Sequence, residues 1–484
     1  MLAGTGSDVG KSILATALCR IFLQDGYRPA PFKAQNMALN SFATPDGLEI
    51  GRAQAVQAEA CRLAPHTDMN PLLLKPSSDH TSQVVLHGRP IGNRDAYDFW
   101  GVKGSDGGVK GRDGDDRHEL DFRAEVCQSF DRLNSRYNPI VMEGAGSVSE
   151  LNLRDHDLVN LPMARHAGAA VVLVADIDRG GVFASCYGSI KLQTAADQQL
   201  MRGIIVNKFR GDLRLFDRGR QMLEDVCGVP VLGVVPYVPD LHIDAEDSVV
   251  LEKKKIAKTD AKKAYSIAVV MLRHLSNFTD FDVLERDPRV HLFYTKDAAD
   301  LDAADTIILP GTKATLDDLY HLRRSGMAAA ILKAHAEGKT IVGICGGFQM
   351  LGRRIDDPDG IEGGDVTSLP GLGLLPMQTV MTPEKTTRQV EFRFQGQPCR
   401  GYEIHQGRST ADDPIVVRGH VIGTYIHGCL DNPAVIDFVL GERTAPAAVA
   451  PESVDDYRDR QYDLLADHVR RHVDMERIYQ ILKS

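Results

Sequence analysis

The segment Gly4-Thr5-Gly6-Ser7-Asp8-Val9-Gly10-Lys11-Ser12 opens the sequence, and apolar residues spaced as one helical face follow it directly. A glycine-rich loop ahead of a helix is a phosphate-binding arrangement, because unpaired backbone N–H groups, the helix dipole and the small glycines all favour an anion there. We expect Lys11 to reach the β and γ phosphates of ATP and Ser12 to bind Mg²⁺. The segment therefore predicts a nucleotide site built from these residues: Gly4, Thr5, Asp8, Val9, Gly10, Lys11 and Ser12.

The spacing of this loop differs from the common GxxxxGK[ST] pattern. Thr5 stands where that pattern has its first glycine, and the glycine is one position earlier, at Gly4. Only Met1 to Ala3 precede the loop, so the strand expected there is either minimal or truncated. A chance glycine loop is the alternative, and the helix that follows favours the phosphate site.

Short apolar runs alternate with amphipathic stretches over most of the chain, which predicts an α/β protein with parallel sheets. The runs expected to form two buried sheets are 139–142, 169–175, 203–206 and 231–235 in the front half, then 267–271, 306–309, 340–344 and 421–426 in the back half. We expect a front domain over 1–240, a polar linker over 241–263, a back domain over 264–442 and a helical tail over 443–484. The alternative for the linker is a solvated helix inside one larger domain, and the glycine-rich stretch 101–119 is expected to be a surface loop.

Composition excludes several classes of protein. The 484 residues carry a net charge of -10 and no basic cluster interleaved with aromatics, so nucleic acid is not an expected partner. The longest apolar run, 167–175, is far shorter than the roughly 20 residues that span a bilayer, and no signal peptide precedes it. The 8 cysteines are scattered, which predicts neither disulfides nor a zinc site. We expect a cytoplasmic protein without a membrane partner.

Two polar residues follow predicted front-half strands. Glu143 comes directly after run 139–142, and a carboxylate there, beside the phosphate loop, would be a second magnesium ligand with Ser12. The alternative for Glu143 is a helix or turn cap. Asn207 follows run 203–206 and is either a partner for the purine edge or a turn residue.

The back half contains a predicted nucleophile. Run 340–344 ends at Cys345-Gly346-Gly347, a sharp strand-to-helix turn that would hold the thiol clear of the sheet at a helix N-terminus. The candidate bases are His427, at the end of run 421–426, and His405. The N–H groups of Gly311 and Gly346 could form an oxyanion hole. The set predicts acyl transfer by a cysteine.

Long stretches of the chain resemble the cobyric acid synthase family, the glutamine-hydrolysing amidotransferases of cobalamin biosynthesis. The matching stretches are 4–12, 32–37, 49–54, 74–78, 143–147, 176–183 and 207–212. The front half is similar to dethiobiotin synthetase, a P-loop NTPase-like domain whose loop shares the longer spacing, and the back half resembles a class I, triad-type glutamine amidotransferase domain.

The resemblance implies roles for the back-half residues. Cys345 would be the nucleophile, His427 its base and Gln349 a contact for glutamine. Most of that superfamily has a glutamate two residues after the histidine, where this chain has Cys429. Either the cysteine and histidine work alone, or an acid is recruited from elsewhere in the chain.

The implied reaction is ATP-, Mg²⁺- and glutamine-dependent amidation of the b, d, e and g carboxylates of adenosylcobyrinic acid a,c-diamide, through acyl phosphates. This small-molecule corrinoid needs local cations, which Lys33, Arg52 and Lys75 could provide, although Lys33 could also be a solvated surface lysine. The sequence specifies no oligomeric state. The rival readings are cobyrinic acid a,c-diamide synthase, a P-loop ATPase switch protein and a stand-alone glutaminase with a scaffolding front half.

Overall fold

A computed structural model of the chain describes residues 1–77, 81–95, 121–244, 265–364, 366–411, 413–441 and 452–483. The predicted surface loop 101–119 lies outside these ranges, as do most of the predicted linker and the start of the predicted tail. In the described parts of the chain, no helix is both long and apolar enough to cross a membrane.

A parallel sheet forms the centre of the front half. Its main strands lie in the order Leu2–Gly4, Val171–Asp176, Met201–Phe209 and Val231–Pro236. Val171–Asp176 is buried at every position, which explains why its sequence is continuously apolar rather than alternating. The minimal first strand does form, and Ile140–Met142 pairs instead with Ala30–Phe32. Run 139–142 was expected in the main sheet, but among the described residues a single parallel bridge, between Leu2 and Glu143, joins this strand pair to that sheet.

Helices and a smaller sheet surround this centre. The front-half helices are Lys11–Gln24, Arg52–Ala60, Phe122–Asn134, Leu161–Ala167, Val182–Lys191, Ala195–Leu200 and Asp217–Cys227. The smaller sheet has the order Gln35–Met37, Leu72–Pro76, Thr81–Leu86 and Arg89–Asp95. A separate short antiparallel pair, Ser41–Ala43 with Glu49–Gly51, contacts the back half.

The back half is built on a sheet in the order Val290–Thr295, Tyr265–Val270, Thr306–Leu309, Thr340–Ile344, Val421–Thr424 and Val416–Arg418, parallel except for its last strand. A second sheet contains Ser368–Pro370, Arg354–Asp356, Gln378–Phe394, Gln397–Ser409 and Ile426–His427. The helices are Asp282–Arg286, Thr315–Arg324, Met327–Ala336, Gly346–Leu351 and Pro433–Leu440. Run 421–426 was expected as one strand, but it divides between the two sheets, which places His427 at their junction.

The tail folds back onto the front half. Its helices are Val454–His472 and Met475–Lys483. Leu465 and Val469 share one apolar core with the helix Lys11–Gln24. Arg20 on that helix is 1% exposed, and its guanidinium pairs with Asp459 and Asp463 of the tail at 2.7 Å each.

Hydrogen bonds join the front half to the back half. The Ser41 N–H donates to Oδ1 of Asn277 at 2.9 Å, and the Asn277 N–H donates to Oδ1 of Asn40 at 2.6 Å. Asn277 has a left-handed backbone, with φ of 53°, and it caps the short 3-10 helix Phe278–Phe281. The front half therefore fixes the start of a back-half helix.

Candidate active sites

The phosphate loop enters its helix through Gly10, whose φ of 97° requires glycine. Nδ2 of Asn207 donates to the Val9 carbonyl at 2.9 Å, and a Cβ on Gly10 would lie 2.1 Å from that nitrogen. Gly10 caps the helix without a side-chain hydrogen bond, so the first N–H groups face the loop. Asn207 thus braces the loop, while its predicted contact with a purine stays a prediction.

Lys11 lies folded across the loop. Its Nζ donates to the carbonyl oxygens of Gly6 at 2.9 Å and of Gly146 at 2.8 Å. A Cβ on Gly4 would lie 2.7 Å from that nitrogen, which explains why glycine stands at this position. Two further loop residues have fixed contacts. The Thr5 N–H donates to the Val174 carbonyl of the adjacent strand, and the Asp8 carboxylate pairs with Arg179 at 2.9 Å.

Ser12 and Glu143 are brought together as predicted from the sequence. The Ser12 hydroxyl donates to Oε1 of Glu143 at 2.8 Å, and Nζ of Lys33 donates to the same oxygen at 3.0 Å. Burial raises the pKa of the Glu143 carboxyl, but Lys33 and a hydrogen bond from Gln57 outweigh it and lower that pKa below its ordinary value. Glu143 therefore stays ionised, and the two oxygens are of the kind that Mg²⁺ prefers.

A cavity of about 1250 Å³ opens beside the loop. Lys11, Ser12, Lys33 and Glu143 line it, together with residues 35–37. Its volume exceeds the roughly 300–1,000 Å³ of ordinary small-molecule sites. It is therefore larger than a typical site for one small molecule.

Two of the three predicted substrate cations lie elsewhere. Arg52 is 2% exposed and pairs with the buried Asp244, so its charge is already neutralised inside the protein. Lys75 lines a different cavity, next to Cys345, where it pairs with Glu49 at 2.7 Å. Of the three, Lys33 alone is among the residues that line the large cavity, and contact of Arg52 and Lys75 with the corrinoid stays a prediction.

Cys345 occupies a strained turn between the strand Thr340–Ile344 and the helix Gly346–Leu351. Its φ of 52° and ψ of -110° are unusual for a residue with a side chain, and such strain is typical of functional positions. A Cβ on Gly347 would lie 2.0 Å from the Leu309 carbonyl oxygen, so the turn can form only with glycine there. The thiol donates to the Ile404 carbonyl at 3.6 Å.

His427 is held by a carboxylate that the sequence did not reveal. Its Nδ1 is 2.7 Å from Oδ2 of Asp280, and the other oxygen of Asp280 accepts the Gly428 N–H at 2.9 Å. Burial lowers the pKa of His427, but Asp280 and the nearby Cys345 thiol outweigh it and raise that pKa to about 10. Nε2 is buried without a hydrogen-bond partner among the described residues. The carboxylate partner of His427 therefore lies on the helix Phe278–Phe281 rather than at position 429.

The competing base, His405, also lines the cavity at Cys345 but is held differently. Its Nδ1 lies 3.2 Å from the Gly407 carbonyl, and its ring stacks on Tyr425 at 3.8 Å between centroids. The nearest carboxylate, of Glu403, is 3.8 Å from Nε2. The paired carboxylate at Asp280 makes His427 the better-supported base.

The predicted oxyanion glycines lie around the thiol. A Cβ on Gly311 would lie 3.2 Å from Cε1 of His427, and one on Gly346 would lie 2.6 Å from the Thr312 side chain. Gln349, on the helix after Cys345, donates to the Gln406 carbonyl at 2.8 Å and accepts from Thr315. Both glycines are therefore packed too closely for a side chain, and their role as oxyanion donors stays a prediction. The Gln349 amide is hydrogen-bonded within the cavity wall.

Comparison with known proteins covers both halves. Residues 1–250 match the CobQ/CobB/MinD/ParA nucleotide binding domain, and residues 266–435 match the CobB/CobQ-like glutamine amidotransferase domain. The cobyric acid synthase of Bacteroides fragilis is 60% identical over 500 residues, which covers 100% of this chain and 98% of that protein. This chain belongs to the cobyric acid synthase family.

Other members of the cobyric acid synthase family extend the match. The proteins of that name from Phocaeicola vulgatus and Salmonella typhimurium are 58% and 44% identical, each over 100% of this chain and 98% of theirs. Cobyric acid synthases are amidotransferase ligases, so the chain is an enzyme of that class. The predicted fold, a nucleotide-binding domain followed by a glutamine amidotransferase domain, is confirmed. Membership of the family sets aside the ATPase switch.

Proposed function

We propose that this enzyme uses ATP and glutamine to amidate the b, d, e and g carboxylates of adenosylcobyrinic acid a,c-diamide, giving adenosylcobyric acid. The proposal rests on the presence of two separate candidate active sites in one chain. A phosphate loop opens onto a cavity of about 1250 Å³, and Cys345, His427 and Asp280 meet beside a separate cavity. The names of the related proteins support the choice of substrate.

The front site activates the carboxylate. A carboxylate is a poor electrophile, so its oxygen attacks the γ phosphorus of ATP and ADP departs, leaving an acyl phosphate. The Lys11 ammonium exchanges its carbonyl partners for phosphate oxygens, and the loop N–H groups hold the β phosphate. Ammonia then attacks the acyl carbon and inorganic phosphate leaves.

Ser12 and Glu143 would hold the magnesium ion. Their oxygens lie 2.8 Å apart at the mouth of the loop. Glu143 stays ionised because Lys33 and Gln57 donate hydrogen bonds to its carboxylate. The ion supplies charge neutralisation for the phosphate oxygens. Lys33 contacts the same carboxylate oxygen, so it adds a second cation where the transferred phosphoryl group would lie.

The back site releases ammonia from glutamine. The Cys345 proton resides on Nε2 of His427, whose raised pKa favours the imidazolium, and the thiolate sulfur attacks the side-chain amide carbon. Asp280 stabilises the resulting imidazolium, and the N–H groups of Gly311 and Gly346 face the developing oxyanion. The imidazolium then protonates the leaving nitrogen, which departs as ammonia, and water hydrolyses the thioester with His427 as its base.

The direct test is mass spectrometry of the corrinoid after incubation with adenosylcobyrinic acid a,c-diamide, Mg-ATP and glutamine. Each amidation replaces a hydroxyl by an amino group, and we expect four such mass decreases that all require ATP. An unchanged corrinoid alongside active glutamine hydrolysis would contradict the proposed substrate.

Two variants separate the sites. Cys345→Ala is expected to abolish synthesis from glutamine and to retain synthesis from ammonium, with Cys127→Ala, a half-exposed thiol, as the matched control. Lys11→Ala is expected to abolish synthesis from either nitrogen source. Loss of ammonium-dependent synthesis in Cys345→Ala, or normal turnover in Lys11→Ala, would contradict the two-site mechanism.

A further inference from the structure

The cavity beside Cys345 is unusually rich in lysine. Lys75, Lys313 and Lys385 all line it, and the carboxylates nearest to them are Glu49 and Glu362. Burial lowers the pKa of Lys313, and it also lowers the pKa of Lys385 to about 7. Buried ammonium groups of this kind are stabilised when an additional anion binds beside them.

The front half supplies part of this wall. Lys75 lies on the front-half strand Leu72–Pro76, and its Nζ donates to Oε1 of Glu49 at 2.7 Å and to the Ser41 hydroxyl at 2.9 Å. Lys385 from the back half pairs with the other oxygen of Glu49. The buried carboxylate of Glu49 therefore pairs with two ammonium groups, one from each half.

Lys313 completes the set from the back half. It follows the oxyanion candidate Gly311 by two residues, and its Nζ makes a long contact of 3.4 Å with Oε1 of Gln406. The backbone carbonyl of Gln406 accepts a hydrogen bond from the Gln349 amide, on the helix that follows the nucleophile. Lys313 thus lines the same cavity as Cys345 and Lys75, and the charge of Lys75 is close enough to lower the pKa of Lys313 further.

Building on the proposed attack of Cys345 on glutamine, we propose that the α-carboxylate of glutamine binds between Lys313 of the back half and Lys75 of the front half. An ammonium group has three N–H donors, and Lys75 uses one on Glu49 and one on Ser41, so its remaining donor suits a carboxylate oxygen. The α-carboxylate of glutamine lies a few bonds from the side-chain amide carbon that Cys345 attacks. The glutamine site is therefore composite, and it is complete only where the two halves meet.

The test measures covalent labelling of Cys345 rather than amidation. Diazo-oxo-norleucine carries the α-carboxylate of glutamine and alkylates a glutaminase cysteine, whereas iodoacetamide alkylates a thiol and has no α-carboxylate. Rates are measured by intact-protein mass spectrometry on the full chain for wild type, Lys313→Met and Lys75→Met. The control is Lys333→Met, an exposed lysine that pairs with Asp302.

We expect the rate ratio of diazo-oxo-norleucine to iodoacetamide to fall about tenfold or more in both cavity variants, because a charge-assisted hydrogen bond is lost. It should not change in Lys333→Met. An unchanged ratio in Lys313→Met would overturn the proposal, and a fall in Lys313→Met alone would overturn the composite site. If wild-type Cys345 resists both reagents, the nucleophile of the proposed function fails instead.

A second substrate distinguishes loss of carboxylate binding from misfolding of the buried Lys75→Met variant. γ-Aminobutyramide is glutamine without its α-carboxylate, so a lysine that binds this group affects glutamine hydrolysis and not hydrolysis of the analogue. We expect the ratio of kcat/KM for glutamine to that for γ-aminobutyramide to fall about tenfold in both variants. An equal loss with both substrates would refute the role of these lysines in binding the carboxylate.

Discussion

Replacing Asp280 by asparagine tests the acid behind His427. Asparagine keeps the shape of the side chain and removes its charge. The pKa of His427 is raised from an ordinary 6.5 to about 10 although the ring is buried, and each pKa unit corresponds to about 1.4 kcal/mol. The imidazolium is therefore favoured by about 5 kcal/mol, shared between Asp280 and Cys345. If Asp280 contributes half, Asp280→Asn slows glutamine hydrolysis by roughly a hundredfold.

The assay follows synthesis with glutamine and with ammonium in parallel. We expect Asp280→Asn to lower only the glutamine-dependent rate, because ammonium bypasses the thiol. Asp302→Asn is the control, since this carboxylate is exposed and its charge lies in solvent. A glutamine-dependent rate within about threefold of wild type would refute the reasoning.

Three further outcomes are expected. Glu143→Gln should slow amidation from both nitrogen sources and raise the Mg²⁺ concentration for half-maximal rate; an unchanged magnesium titration would contradict the ligand role. Because the pKa of His427 is raised from 6.5 to about 10, its pairing with Asp280 stabilises the fold fully below pH 6.5, and that contribution is lost as the pH rises through 10. In urea unfolding, the stability gap between wild type and Asp280→Asn should therefore shrink as the pH rises, and a growing gap would reverse the assignment. Leu465→Ala should cost about 2–5 kcal/mol in the unfolding of the front half, whereas Leu464→Ala, 46% exposed on the same helix, should cost little; equal effects would show that the tail does not complete that core.

Local patterns predicted those parts of the protein that depend on neighbouring residues. The phosphate loop and the turn at Cys345 were predicted because glycine spacing, an adjacent helix and a buried strand are all visible in the sequence. The pairing of Ser12 with Glu143 was also predicted, since the carboxyl ends of parallel strands meet at one edge of a sheet.

The parts that were not predicted depend on long-range contacts. Asp280 is 147 residues from His427 in sequence, and its helix Phe278–Phe281 has no motif that marks it as catalytic. Lys75 and Arg52 were assigned to the corrinoid from charge alone, and charge does not reveal a buried carboxylate partner such as Glu49. The long hairpin Gln378–Phe394 with Gln397–Ser409 was missed because exposed and partly buried positions interrupt its buried ones, which leaves no continuous apolar run.

The return of the tail to the front half has a consequence for biosynthesis. A ribosome makes the helix Lys11–Gln24 before the back half and the helix Val454–His472 after it, so the apolar face between them stays open while the whole back half is being synthesised. Front domains usually finish folding before later ones emerge, but here the front core must wait for the end of translation. A front-half fragment cut at the boundary would expose that face, and supplying residues 452–483 as a separate peptide should restore its solubility.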